Sequence, residues 1–514
     1  MKLSFSDASR VLQRTTFGPT IENIEELQFI GLDAWLTNQF RLDSSSHYDR
    51  YRYIQSYREN ISGNRQEHIN YRINAWWDLI VNCEDQLRQR VAFALSQLLV
   101  VSEKEAGLDE NDHAAGLAKY YDILVNNAFG SYRDILYSIS KSSVMGIYLT
   151  IDGNLPASGD DLPDQNYARE IMQLFTLGDW KVNLDGSLIF DGDGKPISSH
   201  SQEDIEELAR VFTGWKVKDK YRIEDMINVE GDHDEGEKFW LGESIPAGQT
   251  AEQELSFVVD KLVSLDETAV LVSRHLIRQL VSSNPSSEYV YRVSSAFRSS
   301  KGDLGEVVKA IITDSEFLNT SKSKRKAKEP ILAFSSVCRA LDAKMGKGYP
   351  HHKDTSIGFG YRSQYSKSGP FMQGPLTAPS VFNFYSFDYQ PLGPLADNNL
   401  IGPEFEIMTA ADLASICNLM SYKLKDHLIV DGTDVSSRSD KWLWLQASEL
   451  AALFNAENKA QFIDELNKRF FNFDASPKTL NYISSMFDAF VSNKENLWKV
   501  IWMTVMSPEY YVQG

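Results

Sequence analysis

Pro163–Gly178, PDQNYAREIMQLFTLG, sets one amide, one arginine and one glutamate among positions that otherwise carry the apolar spacing of a buried helix. Asp164 follows a proline and is placed to cap this helix. Asn166 and Glu170, four apart, share a face, and Arg169 lies beside them. The pattern predicts a polar cluster inside an apolar wall. A glutamate buried beside a charged neighbour acquires a shifted pKa and can serve as acid or base, so Glu170 is a candidate catalytic residue, with Asn166 and Arg169 as candidate ligand-binding residues. The structural alternative pairs Arg169 and Glu170 with Arg210 and Glu207 of a later helix, where the same Ala-Arg dipeptide recurs.

Working outward, helical periodicity dominates on both sides. Ser6 or Asp7 can cap a first helix through Arg14, and Thr20 with Asn23 opens a second that breaks at Gly31. Gln66–Val101 holds two long amphipathic patterns, with Trp76, Trp77, Leu79 and Ile80 followed by Leu87, Val91, Ala94, Leu95, Leu98 and Leu99. After the central stretch the period changes. Lys181–Ile197, KVNLDGSLIFDGDGKPI, alternates and is punctuated by Asp-Gly pairs, which favours β-hairpin turns over a calcium loop, because the spacing lacks a bidentate glutamate at its end. Ser201 and Asp204 then stand in capping-box spacing ahead of a helix that ends at Gly214-Trp215. The segment from Lys216 to Gln249 reads as a charged, turn-rich loop.

Asp232-His233-Asp234-Glu235, with Glu237 and Lys238, is the second candidate cluster. A histidine between carboxylates can have its tautomer fixed and can bind a divalent metal with them. His233 and Asp234 are therefore candidate catalytic residues and candidate metal ligands, further ligands having to come from elsewhere, such as Glu170 or Asn166. Arg210, Trp215 and Lys238 are candidate ligand-binding residues, the cations for anionic groups and the indole for stacking. The competing reading is a hydrogen-bond network that orders the loop.

The fold class this predicts is mainly α: a large multi-helix body with a small β-hairpin insertion and a long aromatic-rich irregular segment. The expected organisation is a helical core over residues 1–345, with the hairpin at 180–200 and a polar cleft loop at 216–250. A Gly-, Pro- and aromatic-rich wrap follows at 346–402, and a C-terminal helical part at 403–514. The wrap, whose densest passage is APSVFNFYSFDYQPLGPL (378–395), is too aromatic for a flexible linker and is expected to cross the helical body as ordered chain.

Composition bounds the function. A chain of 514 residues with 42% hydrophobic content can bury a large core. A net charge of -19 repels nucleic-acid phosphates, and the basic run Lys322–Lys328 carries no interleaved aromatics to stack bases, so no nucleic-acid partner is expected. No window is apolar enough to span a membrane, and no signal peptide is visible at the start. Cys83, Cys338 and Cys417 are far apart and fit buried thiols.

The combination RTTFGPT (14–20), LRQRVAFALSQ (87–97), DQNYAREIMQLFTLG (164–178), ELARVFTGW (207–215), HDEGEKFWLG (233–242), RQLVSSNPS (278–286) and APSVFNFY (378–385) resembles the bacterial family called domain of unknown function 1800 over nearly the whole chain. The resemblance implies export to the periplasm or cell surface. It also implies a possible partner resembling the exported alkaline phosphatase and sulfatase fold. Many members carry a histidine-rich stretch where this chain has Phe93–Gln97, and a His-Pro-Asn near Leu265–Glu267, so those histidines cannot be carried over as ligands.

Two functions follow as expectations. One is a cell-envelope enzyme acting on a glycan or related surface polymer, with Glu170 and His233 as acid and base and a divalent metal as its possible cofactor. The other is a non-catalytic binding or assembly partner of the phosphatase-like protein, using an apolar patch of the 370–400 segment.

Overall fold

The computed structural model describes residues 3–62, 68–319, 325–345, 373–432 and 443–513, with backbone alone for 57–62, 68–69, 345 and 443. The chain folds into a mainly α body with small two- and three-stranded sheets. The first helix, Phe5–Thr15, is capped by Ser4, whose hydroxyl accepts from the Asp7 N–H, rather than by Ser6 or Asp7. Asp7 instead lies in the first turn, where its charge suits the helix dipole. Thr20 caps Ile21–Ile30 through the Asn23 N–H, and Gly31, at φ +82°, ends it.

The two patterns of Gln66–Val101 become the helices His68–Asn82 and Gln86–Ser96. Phe17, Trp76, Trp77, Phe93 and Phe334 interlock edge-on around them, with Phe17 and Trp76 centroids 5.6 Å apart and Trp77 5.8 Å from Phe334. Gln86–Ser96 is buried on every side from Gln86 to Leu95, although three of its positions are Arg88, Gln89 and Arg90. Buried polar groups are costly unless bonded. Gln89 donates to Asp85 (3.0 Å) and meets His47 Nε2 (2.7 Å), Arg88 donates to the Val125 carbonyl, and Arg90 donates to the Gln279 carbonyl at 2.7 Å.

The 163–178 stretch is helical only over Asn166–Gln173. Beyond it the Phe175 and Leu177 N–H groups bond back five residues, to Glu170 and Met172, and the Thr176 hydroxyl takes the Ile171 carbonyl. These bonds satisfy the last helical carbonyls in a wider turn, and Gly178 at φ +70° redirects the chain. A meander follows, in which Trp180 pairs Ser198, Val182 pairs Leu188 and Phe190 pairs Pro196. Its Asp-Gly turns close as read, with Asp185 accepting from Ser187 and Asp191 from Asp193 and Lys195.

Ser201 and Asp204 form a reciprocal capping box at the start of Gln202–Val211. The 216–250 region is more ordered than a loop. Trp215–Lys216 pairs Ile227–Asn228, and Lys238–Trp240 pairs Glu243–Ile245 through Leu241 and Gly242, both at positive φ, as a two-residue primed turn requires. Helices Ala251–Val263 and Asp266–Leu280 return to the core.

The aromatic segment is described from Gln373, so its 346–372 portion, including His351 and His352, lies outside the described residues. From 373 it is mostly turns, pinned to the body by Ser102 donating to the Ala378 carbonyl and Arg72 to that of Pro375. The C-terminal helices include Ala410–His427, Lys459–Phe471, Pro477–Phe490 and Leu497–Val505. They share this part with an unanticipated sheet, in which Leu443–Gln446 lies between Lys344–Met345 and Leu428–Ile429. No helix among the described residues is long and apolar enough to cross a membrane.

Candidate ligand site

The Gln202–Val211 helix ends beside the 231–242 loop, and the two are joined through Arg210. Its guanidinium donates to both Asp234 oxygens (2.8 and 3.1 Å), to Glu207 (2.8 Å) and to the Glu237 carbonyl. Burial disfavours the charged form of Asp234, but the hydrogen bonds from Arg210 and the Gly236 N–H outweigh it and hold the carboxyl below its usual range. The same bonds raise Arg210. Lys238 is fully buried and gives its ammonium three acceptors, the Asp234 and Gly236 carbonyls and Glu254 Oε1. His233 is sealed alongside. Its Nδ1 faces the Thr213 carbonyl at 3.1 Å, and its Nε2 lies 3.4 Å from Glu254 Oε2 without forming a hydrogen bond. Glu254 comes from the first turn of Ala251–Val263, where the helix dipole favours a carboxylate.

The structure thus gathers Arg210, His233, Asp234 and Lys238, together with Glu207, which the sequence offered as a structural partner, and Thr213 and Glu254, which it did not single out. It does not add the other candidates to them. Glu170 is 7% exposed, on the Asn166–Gln173 helix, and no hydrogen bond or ion pair among the described residues joins it to that cluster. Burial raises its carboxyl, with Arg169 opposing, and its Oε2 is buried without a partner. Asn166 is exposed, its N–H bonded to Asp164, and Trp215 is buried. As for metal, both Asp234 oxygens are taken by a guanidinium that already balances their charge. Among the described residues no group of three His, Cys, Asp or Glu side chains is placed to hold an ion.

A large cavity lies elsewhere, and Glu170, His233 and Asp234 do not border it. A space of about 950 Å³ opens between the 173–188 turn and meander, the Asp266–Leu280 helix and the 379–388 aromatic segment. Trp180, Phe382, Phe384 and Phe387 supply rings to its wall. Trp180 is 44% and Phe382 63% exposed, so apolar surface faces solvent at its mouth. Arg274 and Arg278, one helical turn apart, contribute guanidiniums, Arg274 reaching the Gly186 carbonyl at 2.8 Å and Arg278 reaching Asp388 at 3.0 Å. His275, between them, is neutral. Its Nε2 donates to the Ala94 carbonyl at 2.7 Å, and burial lowers its pKa to about 4.

Below the cavity runs a buried polar layer. Gln97 donates to Glu329 (3.0 Å), as does Gln373 (2.6 Å), Asn383 donates to Gln97 (2.9 Å), and Gln279 donates to the Tyr385 hydroxyl (3.1 Å). Lys326 holds this layer from the side, its ammonium 2.9 Å from Glu404 and donating to the Gln279 carbonyl. Gln513, near the end of the chain, bonds to Lys326 and Leu280. Sequence reading did not single out Gln97, Gln279 or Asn383, although each sits inside a motif that carried the family resemblance. Those motifs are far apart in the chain and meet only here.

An α-helical body with one aromatic-walled cleft over a buried amide and carboxylate layer is the class that this fold and site define. The chain belongs to the family described as "Protein of unknown function (DUF1800)", whose sequence profile matches residues 10–512. No curated protein and no solved structure matches it.

Proposed function

We propose that the cavity between the meander, the Asp266–Leu280 helix and the aromatic segment binds a hydroxyl-rich ligand of the glycan class. The chain then acts as a glycan-directed protein of the cell envelope, in the periplasmic or extracellular setting that the family resemblance implies. One observation carries the reading: exposed rings, amides and charged groups surround a single space of about 950 Å³, large enough for a short oligosaccharide. Flat apolar sugar faces suit the rings of Trp180 and Phe382, and hydroxyls suit amides and carboxylates. Catalysis through Glu170 and His233 draws less support, because neither residue borders this space and His233 is closed off by Thr213 and Glu254.

Titration of the purified chain with a panel of neutral and acidic tetrasaccharides tests the reading. Saturable binding that Phe382→Ala weakens supports it, and no binding by any member of the panel overturns it. A second reading is favoured by the exposure of Phe382 and Trp180 at the cavity, with Phe190 (54%) exposed in the same meander as Trp180: docking of a phosphatase- or sulfatase-like partner on these rings. Stoichiometric capture of such a partner, lost in Phe382→Ala with no sugar bound, selects it.

A further inference from the structure

The polar layer beneath the cavity has a fixed direction, and that direction ends at Asn383. Glu329, fully buried just before the Pro330–Ala340 helix, lies 3.9 Å from the Lys326 ammonium. Gln97 and Gln373 both turn their NH2 groups toward it and donate to Oε2. The amide of Gln97 then has its carbonyl at the other end, where it accepts from Asn383 Nδ2 at 2.9 Å. Asn383 in turn has its NH2 committed to Gln97, so its carbonyl Oδ1 is the group left over. That oxygen is buried and has no hydrogen-bond partner among the described residues.

Three further observations meet at the same residue. Asn383 borders the cavity, whereas Glu329 and Gln373, whose Oε1 atoms also lack hydrogen bonds, do not. It is 4% exposed. Its backbone sits at φ +68°, the left-handed conformation that asparagine adopts more readily than most residues. An unsatisfied buried acceptor typically costs about 1–3 kcal/mol, a cost that a donor arriving from the cavity side removes.

We propose that Asn383 is the ligand-recognising residue of this cavity, its Oδ1 accepting a hydrogen bond from a ligand hydroxyl or amide N–H, with Gln97 as the positioning residue that fixes the amide's orientation. The proposal rests on the reading of the cavity as a glycan site and deepens it. The ligand group at this point is a donor, which a sugar hydroxyl or an acetamido N–H supplies and a carboxylate, sulfate ester or methyl ether does not.

The test is titration of the full chain with maltotetraose, cellotetraose and chitotetraose, for the wild type, Asn383→Gly, Gln97→Met and the double variant. Glycine accepts the left-handed backbone and removes only the side chain, and Gln97→Met keeps the volume while releasing Asn383. Loss of a hydrogen bond of this kind weakens binding of the best probe about 10-fold or more in Asn383→Gly. Gln97→Met alone weakens binding and adds nothing in the Asn383→Gly background, a non-additivity that a purely structural role for Gln97 does not produce. Should Asn383→Gly fail to fold, Gln97→Met decides the matter by the loss of affinity it shows. Wild-type binding that neither variant changes overturns the assignment of Asn383 and leaves the cavity reading standing; no binding of any probe by the wild type overturns both.

Discussion

Lys238 Nζ lies 2.7 Å from Glu254 Oε1, and neither side chain has any exposed surface. Desolvation makes such a pair a weak source of net stability but an expensive one to break, since removing one charge strands the other. Glu254→Gln is therefore expected to lower stability by about 3–5 kcal/mol, and replacing both residues with apolar side chains to recover much of that loss. Chemical denaturation at neutral pH measures both. Equal stability of wild type and Glu254→Gln would show that this cluster is not the strut joining the 231–242 loop to the body.

Glu170 gives the opposite expectation. Its carboxyl is raised by burial, with Arg169 opposing, and its Oε2 has no partner among the described residues. A group that binds its proton more tightly in the folded state loses stability as pH rises through its titration. Glu170→Gln is neutral throughout, so it should be as stable as the wild type or more so at pH 7, and should leave ligand binding unchanged. Abolished ligand turnover in a folded Glu170→Gln protein would return this glutamate to a catalytic role.

His275 predicts a pH effect of known sign. Its folded pKa is about 4 against an ordinary 6.5, because burial excludes the charged ring and Nε2 is committed to the Ala94 carbonyl. The unfolded chain binds the proton first as pH falls, so this contribution is intact above about pH 6.5 and is lost progressively down to about pH 4, a total of about 3 kcal/mol. Denaturant midpoints taken from pH 7 to pH 4 should fall less steeply in His275→Gln, which keeps a donor but does not titrate. Parallel curves for the two proteins would mean that the ring is already solvated.

Phe382 separates binding from folding. At 63% exposure it has little core contact to lose, so Phe382→Ala should shift stability by no more than about 0.5 kcal/mol. The same change should weaken capture of a tetrasaccharide severalfold. A large loss of thermal stability without an effect on binding would assign the ring to packing.

Local chemistry was legible from the chain alone: the Thr20 cap, the Ser201–Asp204 capping box and the Asp-Gly turns after Gly178 all act over four residues or fewer, which is the range of such signals. Helix content followed from periodicity in the same way. The end of the Asn166–Gln173 helix was less visible, because the apolar spacing runs on through Phe175 and Leu177 while the backbone changes its bonding. In the charged cluster, Arg210, His233, Asp234 and Lys238 could be grouped from the sequence because they are close in the chain or share a motif with repeated residue types. Their closing partner Glu254 was not, since nothing local marks a glutamate in the first turn of a helix as buried. The cavity floor was out of reach for a stronger reason. Gln97, Gln279, Glu329 and Asn383 acquire a joint meaning only when segments up to 286 residues apart are packed together.

That same floor has a bearing on how the protein comes into being. Contacts between Gln97 and Asn383, between Arg90 and Gln279, and between Lys326 and Glu404 can form only after most of the chain has been made and its loops closed. No early fragment holds the site, and neither does a nicked chain that has shed its last third. A ligand that engages Asn383 therefore recognises the finished molecule, and its stabilisation of the fold rises with the logarithm of its concentration.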